Sequence, residues 1–211
     1  LAIHFISWIT SLEYTSIASS VVLVTTAPLW VALLSPRILG ERITWLVWLG
    51  LIIALIGGAM VGLSETCGIG PLGISCKKEI GPWMKGGQLG NFLAIVGAWC
   101  SAAYLMIGRK LRPHLNIRSY AVMVYGTAAL FLLFACLLRG KAIAGFSPGT
   151  YFWMVGLAVV PQIIGHSSFN YALAFLPAAL VSVALLGEPI GAVILGYVFL
   201  KEIPSTMELA G

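Results

Sequence analysis

Two stretches of this chain, 161 positions apart, share the same order of apolar residues, a proline and an acid. Residues 17–41 and 178–202 are each apolar for about 20 residues, carry a proline in mid-run and meet a glutamate 13 residues later. Their alignment gives six identical positions: Ala18/Ala179, Val22/Val183, Pro28/Pro189, Leu34/Leu195, Leu39/Leu200 and Glu41/Glu202. The matched spacing predicts an internal duplication, so the fold must contain two related units.

The composition indicates that the surface of this protein faces lipid. Hydrophobic residues make up 60% of the chain and charged residues only 9%, with a mean hydropathy of +1.00. A soluble domain carries roughly 25% charged residues. The apolar runs recur to the end of the chain, so they are not a cleaved leader peptide.

The apolar runs have the length of membrane-spanning helices. About 20 apolar residues cross a hydrocarbon core of roughly 30 Å as a helix, and continuous rather than alternating runs favour helices over strands. We predict an all-α integral membrane protein, a polytopic helix bundle with a partial span at 1–12 and six full spans. Those spans lie in runs 16–36, 43–64, 86–108, 119–138, 142–177 (one helix near 150–173) and 178–200.

The duplication predicts an inverted repeat. The two proline-containing spans are five helices apart, so they cross the membrane in opposite directions. The same shift of 161 residues predicts a partner of helix 44–63 near 205–224, and partners of helices 89–108 and 119–138 before residue 1. We therefore expect about seven of ten transmembrane helices, divided into part of a first unit (1–63), an extracytoplasmic loop (64–88) and a second unit without its last helix (89–211).

Positive residues in short loops set the orientation in the membrane. Six Lys and Arg residues fall on each side, but the segment 109–118 holds four positive residues in ten positions. This density predicts that the 109–118 loop is cytoplasmic. The net charge of +5 then reflects topology and lipid headgroup contact, and it requires no nucleic acid.

The cysteines form two groups. Cys67 and Cys76 flank a Gly- and Pro-rich segment of the long loop, and a disulfide there would agree with an oxidising compartment. The alternative is two unrelated loop thiols. Cys100 and Cys136 lie in apolar helices and are interpreted as small buried hydrophobes. The metal-binding CxxC spacing is absent from the sequence, which argues against a zinc site.

Polar residues inside spans are costly in lipid, so they are candidates for function. Glu188 lies near the middle of the last span and precedes Pro189, whose ring frees a backbone carbonyl one turn earlier. Pro28 and Pro189 are predicted structural kinks. Glu188 either binds a cationic group or a proton, or is a buried acid bonded to a neighbouring helix. Glu41 and Glu202 are interpreted as surface pairing or helix-end capping residues.

A polar stripe is predicted on the helix near 150–173. Gln162, His166 and Asn170 follow an i, i+4, i+8 spacing, which places them on one face of an α-helix pointing away from lipid. The stripe either lines a substrate path or joins helices through hydrogen bonds. The positions that match it in the first unit are the apolar Leu1, Phe5 and Ile9, so the two units differ where a solute would bind.

Aromatic and amide residues on other spans are further candidates for a binding cavity. They are Tyr14, Trp30, Asn91 and Trp99, with Tyr104 and the i, i+4 pair His4 and Trp8 as weaker additions. The alternative for the Trp and Tyr residues is a belt at the membrane interface.

The strings SLEYTSIASSVVLVTTAPLWVALLSPRILGE and HSSFNYALAFLPAALVSVALLGEPIGAVILGYVFLKE carry a family resemblance. Their apolar-Pro-apolar-[GK]E pattern resembles the two EamA repeats of the drug/metabolite transporter superfamily. The resemblance implies ten helices in two inverted units of five, both termini in the cytoplasm, a central cavity, and export or exchange of small metabolites. It implies helix roles for the two prolines and for the acids of the pattern, and it identifies no particular solute.

Three classes of function were compared. A secondary transporter working by alternating access is favoured by the inverted repeat, the prolines in mid-span and the sparse polar interior. The alternatives are a channel or structural membrane subunit and, less favoured, an intramembrane enzyme, for which the sequence shows no paired acids and no HExxH motif.

The expected partners follow from the transporter interpretation. They are a small-molecule metabolite and the lipid bilayer of a bacterial plasma (inner) membrane, which the chain crosses several times. Proton coupling and a homodimer stay open. No cofactor and no metal are expected, and no nucleotide-binding GxxxxGK[ST] loop is present in the sequence.

Overall fold

The protein is described here from a computed structural model. The structure describes residues 1–15, 17–63, 67–70, 73–76, 87–201 and 203–211. Within these residues the chain is a bundle of helices with one small hairpin of two strands, as the sequence predicts for a polytopic helical membrane protein.

The helices follow the predicted apolar runs closely. Before the long loop, the chain forms α1 Ala2–Ser11, α2 Ile17–Val24, α3 Ala27–Ile38 and α4 Trp45–Leu63. After the long loop, it forms α5 Gly87–Leu111, α6 Ile117–Leu138, α7 Pro148–Leu157, a π-helical segment Ala158–His166, α8 Ser167–Ala172, α9 Ala178–Leu185, α10 Glu188–Leu195, a π-helical segment Gly196–Leu200 and α11 Thr206–Ala210. The division into two units, 1–63 and 89–211, stays a prediction.

Four described helical stretches have the length and composition to cross a membrane. They are Ser19–Ile38, Gly87–Leu111, Ile117–Leu138 and Pro148–Ala172, and the apolar stretch Trp45–Met60 is shorter. The segment Pro148–Leu157 contains no buried residue, and Trp153 is 70% exposed, as expected of a surface that contacts acyl chains.

The long loop contains a structure that the sequence analysis did not predict. Strands β1 Cys67–Gly70 and β2 Gly73–Cys76 pair antiparallel, with Cys67 opposite Cys76. The side chains of both cysteines lie outside the described part of the chain. The strand register places the backbones of the two cysteines directly opposite each other, as a disulfide between them requires. The disulfide itself stays a prediction.

The two proline-containing spans are broken at matched positions. α2 and α9 cover matching residues under the shift of 161, and α3 and α10 begin at the matching residues Ala27 and Glu188. Pro28 therefore lies in the first turn of a helix, where its missing N–H costs nothing. At the break, the Thr25 hydroxyl donates to the carbonyl of Val21 at 2.8 Å and the Thr26 hydroxyl donates to that of Leu23 at 2.6 Å. These side-chain hydrogen bonds add to the backbone hydrogen bonds that the same two carbonyls accept.

The two broken spans cross the bundle in opposite directions. α3 packs against α9, and the Glu41 carboxylate, just beyond the C-terminal end of α3, lies 3.0 Å from the backbone nitrogen of Ala178 at the N-terminal end of α9. Helices that pack side by side with opposite ends together are antiparallel. This geometry is the inverted relation that the sequence predicts for the two units.

Helix α5 is the column around which the bundle is built. It packs against α1, α2, α3 and α9. Small residues such as Ala94, Ala98 and Ala102 are buried along it, which allows this close packing. Gly90 lets the turn after α1 approach α5 closely, because a Cβ atom there would lie 2.7 Å from the backbone nitrogen of Thr15. The buried core lies where α3, α5 and α9 meet, and it includes Val31, Leu105 and Val181.

Candidate functional site

The predicted site residues lie at several levels along α5 rather than in one pocket. Asn91 is near one end of α5 and Arg109 near the other, about 27 Å apart at 1.5 Å per residue. Between them α5 contacts α1 at Gly97 and the π-helical segment at Tyr104. The levels differ in the chemistry of their side chains.

A group of five aromatic side chains occupies the middle of the bundle. His166 contacts Phe5 with ring centroids 5.8 Å apart and Tyr104 with centroids 6.3 Å apart. His4 contacts Phe5 at 5.1 Å and stacks on Trp8 at 5.9 Å. We call these five residues the axial cluster. The His4 Nδ1 atom lies 2.9 Å from the Gly97 carbonyl oxygen, which fixes the cluster to α5.

The contact of Phe5 with His166 locates the symmetry axis of the repeat. These two residues occupy matching positions, because 166 minus 161 is 5. A residue and its counterpart can touch only beside the axis that relates the two units. The axial cluster therefore lies between the units, where inverted-repeat transporters place their solutes.

Asn170 is held by hydrogen bonds on every side. It is fully buried, and its Oδ1 atom accepts a hydrogen bond from the Tyr104 hydroxyl at 2.7 Å. Its Nδ2 atom donates to the Tyr125 hydroxyl at 3.0 Å, which lies 3.1 Å from the Ser167 hydroxyl. This arrangement favours the helix-joining interpretation for Asn170, because both polar atoms of its side chain already have partners.

The predicted α-helical register is wrong between Ala158 and His166. This segment is π-helical and contains Pro161, so its turns are wider than those of an α-helix. A proline cannot donate to the preceding turn, and a local change of helix type accommodates it. The i, i+4, i+8 stripe of Gln162, His166 and Asn170 is therefore distorted, and Gln162 is half-buried on the wide segment.

Tyr14 and Asn91 lie away from the axial cluster, at the end of the bundle where α5 begins. Asn91 Oδ1 accepts a hydrogen bond from the Thr15 hydroxyl at 2.8 Å, in the turn that follows α1. Tyr14 lies in the same turn and is 43% exposed. These contacts fasten the α1–α2 turn to α5 at this end.

Trp30 and Trp99 form a separate aromatic pair. Their ring centroids are 5.5 Å apart with the rings perpendicular, and Trp30 Nε1 donates to the Thr26 hydroxyl at 3.2 Å. Trp99 is five residues before Tyr104 on α5, so the two side chains leave the helix about 140° apart. The pair lies on a different side of α5 from the axial cluster.

Two predicted residues are known only by their backbone. Glu188 and Pro189 begin α10 immediately after the break in the last span, and their side chains lie outside the described part of the chain. The acid therefore occupies the first turn of a broken helix. Helix N-termini favour negative groups, so this position suits a carboxylate.

Arg109 and Arg112 have contacts that the sequence does not predict, because positive residues next to a short loop indicate only how the chain is oriented in the membrane. Arg109 Nε and Glu41 Oε1 form an ion pair at 2.6 Å, which agrees with the pairing and capping role expected of Glu41. Arg112 is 5% exposed and donates to the Asn170 carbonyl at 2.8 Å. In the sequence, these contacts are indicated only by Glu41, the acid that matches Glu202 in the repeat.

An apolar groove of about 440 Å³ runs between α1, α5 and α6. Tyr104 and Tyr120 line it together with aliphatic residues such as Ile3 and Val124. Among the residues that the structure describes, no group of three His, Cys, Asp or Glu side chains is placed to hold a metal ion.

Comparisons with known proteins agree with this architecture. A model of the EamA-like transporter family matches residues 1–63 and 88–211. A probable terminal-alkyne amino-acid exporter of Streptantibioticus cattleyicolor is 27% identical over 192 residues, which are 90% of this chain and 58% of that protein. The uncharacterized transporter YdfC of Bacillus subtilis is 24% identical over 190 residues, covering 90% and 56%.

A solved structure shares the fold. The match has a TM-score of 0.78 at 17% identity and covers 98% of this chain and 68% of the other. The chain thus spans less than two thirds of the length of the curated relatives and most of the length of this solved chain.

Proposed function

This chain belongs to the EamA-like transporter family of membrane proteins, and from that premise we propose that it exports a small metabolite by alternating access. The observation that carries the proposal is the contact of Phe5 with His166 at the axis between two oppositely directed units. Two oppositely directed units related by an axis at this contact can rock against each other and expose the contact to each side of the membrane in turn.

The chemistry of the axial cluster favours an amino acid with an unsaturated or apolar side chain. Its five side chains are aromatic rings, and none is a carboxylate, an ammonium or a guanidinium group. Ring faces attract cationic amines and pack against unsaturated carbon. The name of the Streptantibioticus relative, a probable terminal-alkyne amino-acid exporter, supports the same class of solute.

The proposed roles of the residues follow their positions. His166 contacts the solute beside the axis, with Gln162 on the wide segment next to it. Asn170 holds Tyr104 in place. Glu188, at the start of α10, is the acid proposed to take up a proton or to meet a solute amine.

The remaining candidates surround this centre. We propose that Trp30 and Trp99 form a second aromatic wall of the path. Tyr14 and Asn91 are proposed at its entrance, near the end of the bundle where α5 begins.

Counterflow in proteoliposomes tests the proposal. Vesicles holding the protein are loaded with one unlabelled amino acid at a time and diluted into a trace of the labelled form. An alternating carrier accumulates label transiently, because it exchanges one solute for another. A channel lets label equilibrate without accumulation, and a structural subunit gives the signal of empty vesicles; either result would contradict the proposal.

Variants connect the activity to the site. His166→Ala should lower the counterflow rate at least about tenfold, the factor that corresponds to about 1.4 kcal/mol of lost interaction. His114→Ala is the matched control, because His114 is exposed in the 109–118 loop. An equal rate for both variants would remove His166 from the path.

A further inference from the structure

We infer that Glu41 and Arg109 fasten a gate at the end of the bundle that carries the 109–118 loop. The inference rests on the proposed transport function, and it assigns to this ion pair the step that opens one side of the path. Three backbone groups of residues 173–178 bind the pair: the carbonyl oxygens of Leu173 and Ala174 and the nitrogen of Ala178.

Glu41 joins the first unit to the second. Its Oε1 atom accepts from Arg109 Nε at 2.6 Å, and its Oε2 atom accepts from the backbone nitrogen of Ala178 at 3.0 Å. Ala178 is the first residue of α9, and Pro177 before it has no side chain that could cap the helix. Glu41 therefore supplies the acceptor for that helix end from the other unit of the repeat.

Arg109 also binds the backbone just after the end of α8. Its Nη1 atom donates to the carbonyl oxygens of Leu173 at 3.0 Å and Ala174 at 3.3 Å. One guanidinium group thus holds both the Glu41 carboxylate and the turn that connects α8 to α9. The planar group presents its donors in a fixed fork, so a lysine could not reproduce these contacts.

A second arginine supports the same turn from inside the bundle. Arg112 donates to the carbonyl oxygens of Asn170 and Leu115, and it lies 5.8 Å from the centre of the Tyr120 ring. Asn170 in turn binds Tyr104 of the axial cluster. Asn170 therefore connects this end of the bundle, through its backbone carbonyl, with the proposed solute site, through its side chain.

The contacts of Glu41 with Arg109 and with the backbone nitrogen of Ala178 must break if the path opens at this end, because they cross from the first unit to the second. The pair joins the loop after α3 to the turn between α8 and α9, and these segments belong to different units. Rocking of the units apart at this end separates them. The side chains are 24% exposed for Arg109 and 12% exposed for Glu41, so water reaches them and the fastening is reversible.

Thiol labelling tests the gate without any solute. In a background whose native cysteines are replaced by serine, Ala178→Cys places a thiol at a fully buried position of the gate. Adding Glu41→Ala should raise its labelling rate by a membrane-impermeant maleimide about tenfold, because the gate opens more often. Arg109→Gln should raise the rate in the same way, and Glu13→Ala, which removes an exposed acid elsewhere, should leave it unchanged.

A second thiol separates gate opening from unfolding. Ala94→Cys is also fully buried, but it lies on α5 away from the gate, and it should stay unlabelled in the Glu41→Ala background. Labelling of both thiols, or no change at Ala178→Cys, would overturn the inference. Counterflow is measured separately, so a failure of the gate leaves the test of transport intact.

Discussion

Asn170 shows, for a single residue, how this protein satisfies the hydrogen bonds of a buried polar side chain. The sequence placed it inside a span and left two interpretations open, a substrate path or a joint between helices. The structure pairs both polar atoms of its side chain with tyrosine hydroxyls from α5 and α6. Sequence alone could not decide, because Tyr104 and Tyr125 are 66 and 45 residues away along the chain.

Asn170→Ala should therefore destabilise the protein. It removes the partner of the buried Tyr104 hydroxyl and one of the two partners of the Tyr125 hydroxyl, so we expect the free energy of unfolding to fall by about 1–3 kcal/mol. Unfolding by dodecyl sulfate in mixed micelles measures this change. Ser168→Ala is the control, because Ser168 is exposed and its hydroxyl donates to the carbonyl of Ile164, one turn earlier. If Asn170→Ala is as stable as this control, the helix-joining role of Asn170 is contradicted.

At the scale of elements, the helices were predictable and their internal irregularities were not. Apolar run length fixed the positions of the spans, and the matched prolines located the two breaks at residues 25–26 and 186–187. The π-helical segment Ala158–His166 and the hairpin of β1 and β2 were missed. A proline in mid-helix allows a kink, a break or a wider turn, and the surrounding packing decides among them.

Close packing of α5 gives a test with a built-in control. A Cβ atom at Gly90 would lie 2.7 Å from the backbone nitrogen of Thr15, so Gly90→Ala should cost about 1–3 kcal/mol of stability. Gly126 on α6 has no neighbouring atom within 4 Å, and Gly126→Ala should be neutral or gain up to about 1 kcal/mol. Thermal unfolding in detergent compares the two; equal midpoints would contradict the contact of α5 with the α1–α2 turn.

The hairpin makes a prediction about the long loop. Because the register places Cys67 opposite Cys76, we expect a disulfide between them when the loop is extracytoplasmic. Peptide mass spectrometry without reduction should find the two cysteines in one linked peptide that separates on reduction. Free thiols at both positions in protein purified without reductant would contradict both the disulfide and the assigned side.

At the scale of the whole molecule, the repeat carried the most information. It predicted two units of opposite direction, and the packing of α3 against α9 with Glu41 beside Ala178 has that direction. It did not predict that the counterparts Phe5 and His166 touch, because a sequence repeat gives no position for the axis that relates its copies. The repeat also could not predict the contacts of Arg109, because its partners lie 64 to 68 residues away along the chain.

The central claim is that the point where Phe5 meets His166 is reached from each side of the membrane in turn. The most direct measurement is labelling of His166→Cys, without other cysteines, by an impermeant maleimide applied to one side at a time. We predict labelling from either side, slowed in both cases by a saturating solute. A thiol that stays unlabelled, or that reacts from one side only, would contradict the claim.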